Sequence, residues 1–405
     1  MARAMTSDRP SGPKKTRVGF VSSHPIQYLA PLYQAINRTA DLEAVPIYLT
    51  DFSLRDAVDP LFGTKVVWDV DLLGGTNPLF VSGFATREPR GYSLRDSAPG
   101  IWSIVRRADL DALVIYGHSI LANHFASLGA RSRRIPVLYQ CDAPLAKAQG
   151  SLLRRTLLRA YYTSLNGFLA SSTNNRDYYR ALGVPDHKIH HFPLAVDNDR
   201  FMAAADLSDG QRVLVRKEIG LRDGVPAIVT ASKLVAQKRI DDLLIAACAL
   251  RAEGLDFDVL LIGEGNQRAT LEQIASSATG APFIFAGFRN QREIPALFAA
   301  SDIFAMPAAN ENFGLVINEA MCASLPAIVS NGIGAARDLV HDGENGCIFK
   351  AGDITGLSDA LRALITEPGL RQRMGRKSRS LIAGWSYAED IAGLRKALAS
   401  ASAEP

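Results

Sequence analysis

The chain has 405 residues, of which 47% are apolar and 21% are charged, and its formal net charge is +4. This length exceeds what one hydrophobic core usually organises, so we expect two domains. The small net charge excludes a strongly basic nucleic-acid-binding protein, and its sign favours an anionic ligand only weakly.

The N-terminus and the cysteines indicate where the protein works. Residues 1–16 are polar and basic and lack the apolar stretch of a signal peptide, so we predict a disordered tail. No apolar window approaches the ~20 residues of a membrane span. The four cysteines lie far apart in apolar runs, which is typical of buried thiols in a reducing compartment. We therefore expect a cytoplasmic protein.

From Arg17 onward, short β-branched apolar runs alternate with helical patterns. This alternation is typical of βαβ units with parallel strands. The first series predicts strands at Val18–Ser22, Ala112–Tyr116, Pro136–Gln140 and Gly167–Ser171. The second series predicts strands at Ala227–Thr230, Phe257–Ile262, Phe283–Ala286, Ile303–Met306 and Ala327–Ser330.

The two series predict two Rossmann-like domains that meet near residues 196–210. We place the first domain at 17–200, the second at 201–385 and a last helix at 386–405. Ligands of open α/β sheets bind beyond the carboxyl ends of the strands. The site should therefore lie in the cleft between the domains.

The segment Pro307–Met321 carries the strongest indication of function. Glu311 follows a predicted strand in a polar loop, and Glu319 lies about one turn inside the helix that begins after Gly314. An ionised carboxylate can accept two hydroxyl protons from a vicinal diol, and free N–H groups at a helix start suit a phosphate or sugar oxygen. These features indicate a ligand with a sugar, a phosphate and a ribose.

This segment resembles the E-x7-E signature of the retaining family 4 glycosyltransferases, which have the GT-B fold. The resemblance extends over roughly residues 16–390. Three further segments are similar to segments of this family: Ala231–Leu244, Leu261–Gly265 and Phe285–Phe288. Two segments near the N-terminus resemble a subgroup of its bacterial members: Ser23–Tyr28 and Trp68–Leu72.

The resemblance implies a GT-B protein whose last helix crosses back to the N-terminal domain. The N-terminal domain would bind the acceptor, and the C-terminal domain would bind a nucleotide sugar. The implied reaction moves a hexose or N-acetylhexosamine from a nucleoside diphosphate sugar, preferably a UDP-sugar, to a hydroxyl of a glycan, a lipid-linked saccharide or a small metabolite. The donor would be a co-substrate, and no cofactor is expected.

Two lysines are predicted to bind the diphosphate. A metal-free site must stabilise the departing diphosphate with Lys, Arg and helix N-termini. By resemblance, Lys233 and Lys238 form this pair. The family more often has Arg at the position of Lys233, and lysine replaces its bidentate fork with a point charge.

The resemblance also assigns roles to the residues around the two glutamates. Glu319 would bond the ribose, and Glu311 would hold hydroxyls of the donor sugar. The remaining donor-binding candidates are the amides of Phe313, Gly314 and Leu315, with Gly263 beside the donor and Phe288 and Arg289 beside the nucleobase.

Retaining enzymes of this type are thought to use same-face attack, in which the leaving phosphate takes the acceptor's proton. A strong enzymic base is then not obligatory, and we name His118, Lys238 and Glu311 as catalytic candidates. His24, His118 and Asp142 follow predicted strands and are candidates for orienting the substrates in the cleft. A purely structural imidazole is the alternative for each histidine.

Metal and dinucleotide sites are not predicted. D-x-D triplets such as those that begin at Asp69, Asp197 and Asp256 can carry Mg²⁺. The resembled fold does not require a metal, so we assign none. Gly263-Glu-Gly265 lacks the third glycine of a G-x-G-x-x-G fingerprint, which argues against a nicotinamide cofactor.

Other features leave alternatives open. Residues 151–162 form a basic amphipathic pattern, which fits either peripheral contact with the inner face of a membrane or a core-facing helix. Residues 52–100 have few clean periods and are interpreted as an excursion around the acceptor pocket. A sugar-nucleotide epimerase on the same fold and a non-catalytic sugar-nucleotide binding protein remain alternative functions. The oligomeric state is not predicted.

Overall fold

The computed structural model describes residues 14–54, 58–59, 64–65, 67–81, 99–117, 120–276, 280 and 283–403. The strands are β1 (Thr16–Ser22), β2 (Leu42–Tyr48), β3 (Val58–Asp59), β4 (Thr64–Lys65), β5 (Leu79–Phe80), β6 (Ala112–Tyr116), β7 (Val137–Cys141), β8 (Gly167–Ala170), β9 (Ile189–His191), β10 (Ala227–Ala231), β11 (Asp258–Ile262), β12 (Phe283–Gly287), β13 (Ile303–Met306), β14 (Ala327–Ser330) and β15 (Gly346–Phe349).

The helices lie between these strands and after the last of them. They are α1 (Ala30–Arg38), α2 (Gly100–Arg107), α3 (Leu121–Arg131), α4 (Leu152–Tyr162), α5 (Thr173–Ala181), α6 (Asn198–Ala205), α7 (Asp209–Ile219), α8 (Ile240–Ala252), α9 (Arg268–Ser276), α10 (Ile294–Ala299), α11 (Leu315–Cys322), α12 (Ala336–Leu339), α13 (Ile354–Thr366), α14 (Pro368–Ile382) and α15 (Tyr387–Ala403).

Two parallel sheets form the two domains. The first has the order β5-β2-β1-β6-β7-β8-β9, and the second has the order β12-β11-β10-β13-β14-β15. The strand order therefore reverses beside β1 in one sheet and beside β10 in the other, which creates a crevice at each reversal. The predicted fold class, two Rossmann-like domains, is confirmed. Strands β3 and β4 form a separate antiparallel pair.

The central strands are apolar because helices cover both faces of each sheet. All five residues of β10 are buried, as are all five of β11 and all four of β13. Strands buried on two faces lose the polar alternation of a half-exposed strand and become nearly continuous apolar runs. This explains why short β-branched runs were sufficient to locate them.

Two chain segments cross between the domains, and we call this region the pivot (residues 192–198 and 382–390). The Trp385 indole N–H donates to the carbonyl of Pro193 at 2.9 Å. The Asn198 side chain donates to the carbonyls of Ile382 and Trp385 at 2.8 and 2.9 Å. The outgoing and returning segments are thus bonded to each other.

Helix α15 packs against β8, β9 and α1 of the first domain, so the chain ends on the domain in which it began. The Asp390 carboxylate accepts the backbone N–H groups of Leu194 and Ala195 at 2.9 and 3.0 Å. Leu194 has φ of 52°, an unusual value for a branched residue, and these bonds stabilise that conformation. Asp390 is fully buried, and this burial raises its pKa to about 7.

The predicted tail at residues 1–16 falls largely outside the described residues, since residues 1–13 are not among them. Strand β1 begins at Thr16, and the Lys15 ammonium donates to the carbonyls of Asn37 and Thr39. Among the described helices, none combines the length and the apolar character that a membrane span needs.

Candidate active site

The carboxyl ends of the strands at the two reversals face a common cleft. In the first domain, His24 follows β1 and Gly117 follows β6. In the second domain, Lys233 follows β10 and Glu311 follows β13. Parallel strands end at one edge of a sheet, so these residues gather where an α/β sheet binds its ligand.

The loop after β10 carries both predicted diphosphate lysines. Lys233 and Lys238 are partly buried, and a short turn at Ala236–Lys238 separates β10 from α8. Arg239 ends this turn with φ of 50° and forms an ion pair with Asp242, which fixes the start of α8. Lys238 is thereby turned toward the loop that follows β13.

Lys238 and Glu311 form an ion pair across these two loops. Their side chains are 13% and 22% exposed, so each charge is partly withdrawn from water and compensated by the other. The structure brings together two residues that were predicted to bind different parts of the donor.

The backbone around Glu311 is held by a segment that sequence reasoning missed. The Glu311 N–H donates to the carbonyl of Gly332 at 3.0 Å, and the Gly334 N–H donates to the carbonyl of Glu311 at 2.9 Å. A Cβ on Gly334 would lie 1.7 Å from the carbonyl oxygen of Asn312, so only glycine fits there. The Gly332-Ile-Gly334 spacing after β14 was the available signal.

Gly314 begins α11 with φ of 101°. A Cβ at this position would lie 2.7 Å from Ile333, and the positive φ disfavours side chains in any case. Phe313 is buried, whereas Leu315 is only partly buried as the first residue of the helix. The N–H groups that open α11 have no intrahelical acceptor and adjoin Glu311.

Glu319 lies on α11, one turn inside the helix, and is only 9% exposed. Burial raises its pKa to about 7, whereas a hydrogen bond with the Gln291 side chain and the nearby Arg200 charge act in the opposite direction. The Arg200 guanidinium also donates to the carbonyl of Gln291 at 2.9 Å. Sequence reasoning missed Arg200 and Gln291, which lie in an interdomain helix and an ordinary loop.

Gly263 and the loop after β12 form another wall of the cleft on the side of the second domain. Gly263 has φ of 135°, and a Cβ there would lie 1.9 Å from the carbonyl oxygen of Ser232. Its N–H donates to the carbonyl of Gly287 at 2.8 Å, immediately before Phe288. The Arg289 guanidinium pairs with Glu293 at 2.9 Å and donates to Ala286, so its charge is already bound within this loop.

Asp142 reaches across the cleft from the first domain. Its carboxylate accepts from the Asn312 side chain at 3.5 Å, and Lys147 donates to the same amide's oxygen at 2.6 Å. Burial raises the pKa of Asp142, and a hydrogen bond with Tyr116 lowers it. The charge of Glu311 further raises that pKa. Sequence reasoning missed Lys147 and Asn312.

Of the two histidine candidates, His24 lies within the described residues and His118 does not. His24 is partly buried after β1, where its Nδ1 lies 2.8 Å from the Ser23 hydroxyl and its ring contacts Phe52 edge-on at 6.0 Å. His118 lies outside the described residues, although Gly117 before it has φ of 78° and donates to the carbonyl of Gln140.

The D-x-D triplets have structural partners in the described chain. Asp197 accepts the N–H of Arg200 at the start of α6, and Asp256 and Asp258 both bind Arg222. Asp71 accepts two N–H groups of its own turn. Within the ranges that the structure describes, no group of three or more His, Cys, Asp or Glu could hold a metal ion. Metal independence stays a prediction.

Two family models match the chain. Residues 212–381 match glycosyl transferases group 1, and residues 69–200 match glycosyltransferase family 4. Together these segments take up more than half of the chain and include both faces of the cleft.

Individual proteins are similar over parts of the chain. The chain is 29% identical over 259 residues to the GDP-mannose-dependent alpha-(1-6)-phosphatidylinositol monomannoside mannosyltransferase of Mycolicibacterium smegmatis, covering 60% of this chain and 66% of that protein. It is 30% identical over 189 residues to the 2-deoxystreptamine glucosyltransferase of Streptomyces kanamyceticus, covering 46% and 48%. The chain thus spans about half to two thirds of the length of these curated relatives.

A solved structure has the same fold over nearly its whole length. Anabaena Alr3699/HepE in complex with UDP and glucose superposes with a TM-score of 0.70 at 18% identity, covering 95% of this chain and 100% of that one. Both halves of the chain match family models, and both sheets have the corresponding architecture. The chain therefore belongs to the family 4 glycosyltransferases of the GT-B fold.

Proposed function

We propose that the protein is a retaining, metal-independent hexosyltransferase that uses a nucleoside diphosphate sugar. One observation carries this proposal: a lysine, a carboxylate and a helix start meet at Lys238, Glu311 and Gly314. A cation and free N–H groups suit a departing diphosphate, and the carboxylate suits sugar hydroxyls. Glu319 supplies a buried acceptor for a ribose on the same helix.

The acceptor is a hydroxyl compound that enters from the first domain. His24 and Asp142 line this side, and a glycan, a lipid-linked saccharide or a small metabolite would present its hydroxyl there. The two curated relatives have a phosphatidylinositol mannoside and 2-deoxystreptamine in their names. Both names contain a cyclic polyol, which favours acceptors with several ring hydroxyls.

The first experiment measures thermal unfolding of the protein with UDP, GDP, ADP, dTDP and their sugar conjugates. A ligand at 100 times its dissociation constant should add about 2.7 kcal/mol to the free energy of unfolding. We expect nucleotides with one base to stabilise the protein selectively. Uracil, tested as UDP, is the favoured base, and guanine, tested as GDP, is its competitor. Donor consumption that requires an acceptor would then separate a transferase from an epimerase or a binding protein. No stabilisation by any nucleotide would contradict the proposal.

Lys238 and Glu311 should respond differently to substitution. Lys238→Ala should weaken nucleoside diphosphate binding by roughly 1.5–3 kcal/mol, because a charge-assisted bond to phosphate is lost. Glu311→Gln should preserve that binding, because it releases Lys238 from its ion pair, but should lower the transfer rate. Lys217→Ala, on the exposed face of α7, is the matched control. Equal loss of nucleotide binding in both cleft variants would place Glu311 at the nucleotide instead.

Glu319 should make donor affinity depend on pH. Ribose hydroxyls donate to the ionised carboxylate, so binding lowers a pKa that burial has raised to about 7. Affinity for a nucleotide sugar should therefore be about tenfold higher at about pH 8 than at about pH 6. Calorimetry of Glu319→Gln should show weaker binding and no such slope, whereas Asp390→Asn should keep the slope. If the donor affinity of the Glu319→Gln variant still depended on pH, this role of Glu319 would be rejected.

The Glu319 carboxyl should also make the free energy of unfolding depend on pH when no ligand is added. Between its ordinary pKa of 4.5 and about 7, the folded state holds a proton on Glu319 that the unfolded state has released. The free energy of unfolding should therefore fall as the pH rises through this window. Glu319→Gln should reduce that fall, and urea unfolding at several pH values measures it.

Helix α4 offers a surface for an anionic membrane, which we include in the proposal as the route to a lipid-linked acceptor. Leu158 and Tyr162 face the core, but Leu152, Leu153 and Leu157 are 79%, 71% and 62% exposed. Exposed arginines lie among these leucines, at positions 154 and 159. Leucines and arginines on one exposed face match the interfacial helices that bind anionic lipid. The turn before α4 reaches the cleft through Lys147.

Vesicle sedimentation tests this surface. The protein should bind vesicles of phosphatidylcholine mixed with phosphatidylglycerol more strongly than vesicles of phosphatidylcholine alone, and salt should weaken binding. Leu152→Gln combined with Leu153→Gln should reduce binding several-fold, because apolar burial in the interface is lost. Leu214→Gln, at an exposed leucine on α7, is the control. Absence of binding to either vesicle would reject the membrane contact.

A further inference from the structure

Three residues of the first domain rest on the loop after β12, and we call this contact the clasp (Val67–Asp69 against Phe288–Arg292). The Trp68 and Phe288 rings meet edge to face, with centroids 6.0 Å apart and planes at 70°. The hydrogen bonds are Asn290 Nδ2 to the Val67 carbonyl at 2.6 Å, the Asp69 N–H to Asn290 Oδ1 at 3.3 Å and the Arg292 N–H to Asp69 Oδ2 at 3.0 Å.

The first-domain side of the clasp is fixed to its own domain. Gln34 on α1 donates to the carbonyl of Asp71 at 3.0 Å, and Asn37 on the same helix donates to Gly75 at 2.7 Å. Leu72 is buried between these bonds. The segment that carries Trp68 is therefore part of the first domain's framework, and α1 begins just beyond the loop of His24.

The second-domain side of the clasp is connected to Glu319. Gln291 lies next to Asn290 in the same loop, and it binds both Arg200 and the Glu319 carboxyl. Phe288 and Arg289, which the family resemblance places beside the nucleobase, belong to this loop as well. A nucleotide whose ribose binds Glu319 would direct its base toward the clasp.

One atom of the clasp lacks a partner. The Asp69 Oδ1 atom is buried and accepts no hydrogen bond from any residue that the structure describes. A buried carboxylate oxygen without a donor is unfavourable, so its position in the clasp needs an explanation. Its other oxygen, Oδ2, already accepts the N–H of Arg292, so Oδ1 is the oxygen of this carboxylate whose accepting capacity is unused among the described contacts.

We propose that Val67–Asp69 is the outer wall of the nucleobase site, in which Trp68 covers the base and Asp69 accepts a ring N–H from it. This inference rests on the proposed function. Uracil, thymine and guanine carry a ring N–H beside a carbonyl, whereas neutral adenine and cytosine present an unprotonated ring nitrogen instead. A carboxylate accepts from the first group and repels the lone pair of the second. Asp69 is thus a specificity-determining residue supplied by the acceptor-side domain.

Calorimetry of the full chain with UDP, GDP, CDP and ADP tests the role of Asp69. We expect UDP or GDP to bind at least about tenfold more tightly than CDP and ADP, which is the effect of one charge-assisted hydrogen bond. Asp69→Asn should remove most of this preference. The control is Asp71→Asn, since Asp71 accepts only within its own turn among the contacts described for it.

Tryptophan fluorescence tests the wall independently of base preference. Emission should change when the preferred nucleotide is added, and Trp68→Phe should abolish the change while Trp102 and Trp385 remain. If the wild-type chain binds neither these four nucleotides nor dTDP, the proposed function fails. If it binds them without preference, if Asp69→Asn keeps the preference, or if Trp68 does not respond to bound nucleotide, the proposed function stands and this inference is overturned.

Discussion

The pivot is the constraint on which the site depends. The donor-binding candidates lie on the second domain and the acceptor-side candidates on the first, so the geometry of the cleft is set where the chain crosses between them. Trp385, Asn198 and Asp390 bind the crossing segments through buried or partly buried hydrogen bonds. Breaking such a bond leaves polar groups without water to replace it. One apolar cluster also continues through this region into both domains, which makes it a packed joint and not a loose linker.

The second-domain side of the cleft depends on close backbone contacts, which position its charged side chains. Gly263, Gly314 and Gly334 each lie where a Cβ would collide with a neighbouring strand or loop. On this framework, Lys238 and Glu311 neutralise each other. A donor would offer phosphate to the lysine and hydroxyls to the glutamate. Under the proposed function, binding would exchange one set of charge partners for another and leave neither partly buried group uncompensated.

The sequence predicts nine of the thirteen strands of the two parallel sheets, and it places Glu311 in a loop and Glu319 in a helix, because these features depend on local pattern. The apolar runs mark strands buried on two faces, and the eight-residue spacing of Glu311 and Glu319 survives folding as a loop and a helix. The partners of these residues were not predictable. Gln291 reaches Glu319 from another loop. Asn312, the residue after Glu311, accepts from Lys147, which is 165 positions away. Both contacts depend on how the chain packs. Local spacing carries no information about such pairs.

The energetics of the interdomain contacts differ between the pivot and the rim of the cleft. At the rim, the bonds from Lys147 to Asn312, from Asn290 to Val67 and from Thr173 to Asp338 are exposed to solvent. Each exposed bond contributes about 1 kcal/mol or less, because water offers nearly equivalent partners when it breaks. At the pivot, Asp390 and Asn198 are buried and have no such alternative. Separating the domains at the rim therefore costs far less free energy than disrupting the pivot. The rim is also where a donor and an acceptor would enter the cleft.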